Sequence, residues 1–114
     1  YVQIKKIAEG DQWNAAMAAA TIARPKLMVI VDEDVNIYDD SAVLNAIACI
    51  SQPGISTQII HGLRGSVLDP AMVHPTMHNL LVIDATKPVD RSFLVKVKVT
   101  DEILSRIKIE DYLK

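Results

Sequence analysis

Short unbroken apolar runs alternate along this chain with segments of helical spacing. Leu27 to Val31 is apolar throughout and bounded by turn signals, which predicts a strand buried on both faces, as in a parallel sheet. "LLVID" (80–84) reads the same way, "TQII" (57–60) predicts a further strand, and Tyr1 to Ile7 alternates weakly enough for a short one. Between them, "QWNAAMAAATIA" (12–23) holds six alanines, the residue most favourable to helix. Asp11 is its expected N-cap and Pro25 its stop. A second helix is expected after Ser41 as N-cap, with Asp39 and Asp40 near its positive end. Val43, Leu44, Ile47 and Ala48 supply its apolar face, and "QPG" (52–54) ends it. Residues 61–79, broken by Gly62, Gly65, Pro70 and Pro75, read as a long irregular loop of the kind that often covers a site. "FLVKVKV" (93–99) alternates valines with Lys96 and Lys98, the pattern of a half-wet edge strand. Thr100 is placed to cap a last helix that turns Ile103, Leu104 and Ile107 inward.

Strands alternating with helices predict one α/β domain over residues 1–114. Its expected form is a three-layer α/β/α sandwich with a mainly parallel sheet and a Lys-bearing edge strand. Strand C-terminal ends face ligands in such sheets, which draws attention to Asp32, Glu33, Asp34 and Asp84.

Composition narrows the classes. The chain has 114 residues, half of them hydrophobic, but only five aromatic side chains. The core must therefore be built of Ile, Val, Leu, Ala and Met. A net charge of −2 without a basic block gives no reason to expect nucleic acid, and no apolar run approaches the length of a membrane span. The lone Cys49 excludes an internal disulfide and fits a reducing cytoplasm. Tyr1 opens directly in an apolar stretch, as expected for a piece of something longer.

Candidate chemistry read from residue types stays open. The acids after Val31 suit either a hard-cation pocket or a turn in which carboxylates accept backbone N–H groups. His74 and His78 have the spacing of a helical zinc pair, but Pro75 lies between them, which favours loop and packing roles, as for His61. Cys49, within an apolar helix, is expected buried and inert. "LRGSVLDP" (63–70) offers backbone N–H groups and Arg64 to an anion without being a P-loop.

Four stretches in order carry a resemblance: "VQIKK" (2–6), "KLMVIVDEDVNIYDDSAVLNAIA" (26–48), "LRGSVLDP" (63–70) and "NLLVIDATKP" (79–88). Together they resemble the C-terminal domain of the UbiD family of prenylated-FMN-dependent decarboxylases. The chain departs from that pattern where the family helix carries Trp and ends in Thr-Arg; Asn45, Cys49 or Ile50, and Ser51 stand there. Leu80 and Val82 replace the family's lysine and glycine before "IDAT".

The resemblance implies a C-terminal lid and assembly domain of a decarboxylase acting on an unsaturated or aromatic carboxylic acid. Ser66, Val67 and Leu68 then correspond to the loop closing over the substrate, and Arg24 and Lys26 to the region that meets the cofactor phosphate. It makes "DEDV" mainly structural. Prenylated FMN and its divalent metal are expected to be held mainly by upstream domains or a separate catalytic subunit, with the complete enzyme a homo-oligomer and this chain inactive alone. The competing reading is a self-standing α/β regulatory or binding module. A third, an Mg²⁺-dependent phospho-acceptor domain, requires tight Mg²⁺ binding through Asp32.

Overall fold

The structure is a computed structural model and describes residues 1–72, 74–93, 99–108, 110 and 113. In chain order the elements are β1 (Val2–Ile4), α1 (Asp11–Ala23), β2 (Leu27–Asp32), α2 (Asp40–Ile50), β3 (Thr57–Arg64), β4 (Met77–Ala85) and α3 (Asp101–Arg106). The sheet order is β1-β2-β4-β3. β1 and β4 flank β2 in parallel, while β3 joins β4 antiparallel. This is the expected mainly parallel α/β sheet, with one antiparallel pair.

Alternate strand residues point to opposite faces, and each face has its own helix. Met28, Ile30, Leu80 and Val82 pack beneath Ala16 and Ala20 of α1. Val29, Val31 and Ala85 pack beneath Val43 and Ala46 of α2. Alanines let α1 sit close to the sheet. The same helix turns Met17 and Ile22 outward.

Several local expectations are corrected. Gly10, at φ 107°, is the N-cap of α1; this left-handed position costs glycine little. Asp11 instead accepts the N–H groups of Ile7 and Ala8, both at 2.9 Å, and so fixes the turn before the helix. Asp39, not Ser41, caps α2 by accepting the Ser41 N–H at 2.9 Å. The buried stripe of α2 is centred on Val43 and Ala46, with Ile47 and Ile50 beside them, whereas Leu44, Ala48 and Cys49 face solvent. With half the helix apolar, periodicity alone allowed two stripes, and the sheet selected one. Cys49 is therefore exposed, its Sγ 3.6 Å from Asn45 Oδ1.

The irregular segment is shorter than expected, because β3 continues to Arg64 and β4 begins at Met77. A register shift between Ile60 and Leu63 accommodates Gly62 at φ 74°, a β-bulge in effect. Thr100 holds the N-cap position of α3 without a side-chain bond, and Ile103, Leu104 and Ile107 are half exposed rather than inward. Residues 94–98, with Lys96 and Lys98 of the expected edge strand, lie outside the described residues. Among the described residues no helix is long and apolar enough to cross a membrane.

Candidate functional site

The two ends of the sheet are built from different chemistry. At the C-terminal ends of β1, β2 and β4, the acids predicted to share an edge do so, but they are consumed by the chain itself. Asp84 Oδ1 accepts from the N–H (2.9 Å) and hydroxyl (2.6 Å) of Thr86. Asp32 Oδ2 accepts the Lys87 N–H at 2.8 Å, and the Lys87 ammonium reaches Asp34 at 2.6 Å. Lys6, whose side chain is only 3% exposed, donates to Thr86 Oγ1 and the Lys87 carbonyl, each at 3.2 Å, and pairs with Glu9 at 2.7 Å. Glu9 also accepts the Val89 N–H at 2.7 Å.

Residues 86–89 are thus pinned to β2 and to the segment after β1. Burial pushes the Asp32 carboxyl above its ordinary value, against the pull of the Lys87 N–H and ammonium. The neighbouring Asp34 holds the Lys87 ammonium above its own. This edge has the build of a structural clasp. Among the described residues no group of three His, Cys, Asp or Glu side chains gathers as metal ligands.

The opposite end is open. Pro25 and Lys26 lead into β2, and residues 65–72 and 74–76 lie over the start of β4. An open cleft of about 400 Å³ lies there, lined by Lys26, Asp69, Met72, His74, Met77 and His78 among others. The loop is shaped by local bonds of the kind Ser and Asp make to their own backbone. Ser66 Oγ accepts the Leu68 N–H at 3.2 Å, the Ser66 carbonyl accepts the Asp69 N–H at 3.1 Å, and Asp69 Oδ1 accepts the Ala71 N–H at 2.9 Å.

Beside the Gly65 N–H, which donates to the Thr76 carbonyl at 2.9 Å, contacts at Lys26 and His78 fasten the loop to the body. The Lys26 ammonium lies 3.1 Å from each carboxylate oxygen of Asp69. Gly65 backs onto the buried ring of His78, whose Nε2–H donates to the Pro25 carbonyl at 3.0 Å. The Ala71 N–H, and then Lys26, hold the Asp69 carboxyl below the usual carboxylate range.

Of the residues singled out in the sequence, Lys26 and the Ser66–Leu68 turn are brought to one end of the domain. Arg24 sits beside them at the left-handed C-cap of α1, φ 49°. Val67 and Leu68 are 79% and 87% exposed. His74 and His78 do not form a pair: His78 is buried and hydrogen-bonded to backbone, while His74 Nδ1 faces Thr76 in an exposed turn. Sequence reading missed the role of Asp69, 43 positions from Lys26, and the clasp made by Lys6 and Lys87. No local pattern announces contacts of that separation.

Residues 1–85 match the family model described as the 3-octaprenyl-4-hydroxybenzoate carboxy-lyase C-terminal domain, UbiD_C. The chain belongs to the UbiD family through this domain. It is 44% identical over 87 residues to the anhydromevalonate phosphate decarboxylase of Methanosarcina mazei, covering 75% of this chain and 21% of that protein. The UbiD-class enzyme HmfF from Pelotomaculum thermopropionicum, solved in complex with FMN, superposes with a TM-score of 0.78 at 32% identity, over 96% of this chain and 25% of that one. The vanillic acid decarboxylase of Sedimentibacter hydroxybenzoicus in its closed form gives 0.76 at 27% identity, over 98% and 25%; its open form gives 0.75. The chain spans about a fifth to a quarter of the length of these relatives.

Proposed function

We propose that this chain is the lid and assembly domain of a prenylated-FMN-dependent decarboxylase acting on an unsaturated or aromatic carboxylic acid. The observation that carries the reading is the Lys26–Asp69 pair. It ties the cation expected near the cofactor phosphate to the turn expected over the substrate. Lys26, with its side chain half in water beside an open cleft, suits a phosphate contact, and Arg24 offers a second cation. Ser66, Val67 and Leu68 present small and apolar atoms to solvent, as a water-excluding cover needs. That one relative is known in open and closed forms supports a part that moves.

In this reading the divalent metal and most cofactor contacts belong to upstream domains or a separate catalytic subunit. The bound cofactor supplies the electron sink for loss of CO₂. This chain's residues position its phosphate and exclude water. The lone cysteine fits work in the cytoplasm.

The complete enzyme is read as a homo-oligomer. α2 leaves part of its sheet face uncovered. There Leu27 and Ile59, 55% and 60% exposed, flank Leu81 in register. An apolar row of this kind suits burial against a neighbouring domain or copy. Light scattering that finds a strict monomer at high concentration counts against association.

The deciding test is reconstitution. The pure chain, incubated with prenylated FMN and a panel of unsaturated and aromatic acids, should release no CO₂ above blank. Adding the cognate flavin-binding polypeptide should produce turnover. Turnover by the chain alone overturns the reading, and failure to reconstitute with a folded partner favours a self-standing binding module.

A further inference from the structure

We propose that Asp69 is the resident anion of the Lys26 site. Its carboxylate occupies the ammonium until a phosphate ester takes its place, and that exchange frees the Ser66–Leu68 turn from its tether. The inference rests on the reading of Lys26 as a phosphate contact and adds the device that couples cofactor arrival to the lid.

Four observations carry it. Both Asp69 oxygens lie 3.1 Å from the Lys26 nitrogen, so the carboxylate presents its two oxygens to the ammonium as a phosphate would. Their exposures differ: the Lys26 side chain is 53% exposed and Asp69 only 12%. The lysine, on a long flexible stem, is therefore the partner able to swing while the carboxylate stays. Asp69 is also not orphaned when the lysine leaves, because the Ala71 N–H still donates to it. An ion pair whose lysine is half in water is weakly held. A phosphate carries more charge than a carboxylate at neutral pH, so it is the stronger competitor. The cleft beside Lys26 has room for the incoming group.

The exchange has a structural consequence. Asp69 follows Ser66 in a turn closed by the Ser66 carbonyl, so the ion pair is the side-chain tie between that turn and the lead-in to β2. Losing it leaves the turn held from its far side at Gly65, by its N–H to the Thr76 carbonyl and its approach to His78, a pivot rather than a clamp.

The test uses the isotopically labelled chain titrated with FMN, and with riboflavin as the phosphate-free control, followed by NMR. FMN should shift the Lys26 side-chain signal and the amides of Ser66 to Met72, and should speed amide exchange from Ser66 to Asp69. Riboflavin should do neither. Asp69→Asn keeps an oxygen for the Ala71 N–H but removes the competing charge. It should bind FMN about two- to five-fold more tightly, the size an exposed ion pair contributes. Lys26→Met should abolish the response, and Lys26→Arg should restore it.

If Lys26→Met loses FMN while Asp69→Asn binds no better than the parent, the exchange is wrong and the Lys26 phosphate contact stands. If FMN shifts nothing at Lys26 up to its solubility limit, or if Lys26→Met responds like the parent, both are overturned.

Discussion

The Asp32 carboxylate accepts the amide hydrogen of Lys87 across 55 positions of chain, at 2.8 Å. The contact locks the segment after β4 to the end of β2. It also sets a definite expectation for pH. Burial holds the Asp32 carboxyl above its ordinary value in the folded state. Folding therefore favours the protonated form, and this group's contribution to stability falls as pH rises through its folded pKa. Asp32→Asn keeps an oxygen for the Lys87 N–H and removes the charge. It should be at least as stable as the parent at neutral pH, with the advantage shrinking as pH is lowered towards about 4, near the ordinary carboxylate value. Urea midpoints of both chains across that range check it. Mg²⁺ should move neither midpoint; a rise confined to the parent would make this edge a metal site.

Lys6 gives the opposite sign. Its ammonium is the main reason the Glu9 carboxyl is held below its usual value, ahead of the Val89 N–H. That stability is present above the ordinary carboxylate pKa and is lost as pH falls through the lowered one. Lys6→Met should cost about 1.5–3 kcal/mol, the range for hydrogen bonds to a charged group, because Thr86 Oγ1 and the Lys87 carbonyl lose a shared donor. Chemical unfolding measures the loss, and amide exchange should rise in residues 86–89 first.

Leu68 separates a cover from a core. It is 87% exposed, so Leu68→Ala should leave the thermal midpoint of the chain nearly unchanged, against the roughly 2–5 kcal/mol that truncating a buried leucine costs. In the reconstituted enzyme the same change should alter substrate preference or turnover. A large fall in midpoint would remove the main residue of the lid.

Gly65→Ala tests the pivot. A Cβ there would stand 2.6 Å from His78 Nδ1 and 3.1 Å from Met72 Sδ. The His78 ring is held by its bond to the Pro25 carbonyl, so it yields only at the expense of that bond. Overpacking of this kind costs about 1–3 kcal/mol. Unfolding midpoints should drop accordingly, and the His78 ring signals should shift.

How much of this was legible in the sequence follows from the range of each interaction. Leu27 to Val31 and Leu80 to Asp84 announced themselves as strands because Met28 to Val31, Leu80 and Val82 are buried between the two helices, and an unbroken apolar run has few other uses. The stripe of α2 was misjudged because Leu44 and Val43 are equally apolar, and only the sheet decides which faces in. β3 was cut short at Ile60 because its bulge at Gly62 interrupts the alternation that marks a strand. At the candidate site, Lys26 and the Ser66–Leu68 turn were found through family likeness. Asp69, which joins them, stands before Pro70 with no local pattern to mark it. Its role is set by a partner 43 positions away.

The strand order has a consequence for how the chain emerges during synthesis. β4 lies between β2 and β3 and pairs with both. When the ribosome has released everything through β3, the sheet still lacks its middle. β3 then has no neighbour to bond, and the inner edge of β2 stays bare. The apolar faces of α1 and α2 wait on the same strand, since Leu80 and Val82 complete one core and Ala85 the other. Early-made elements awaiting late non-local pairing are slow to settle and exposed to wrong partners. A nascent chain stalled before Met77 should bind chaperones, and one stalled well past Ala85 should release them.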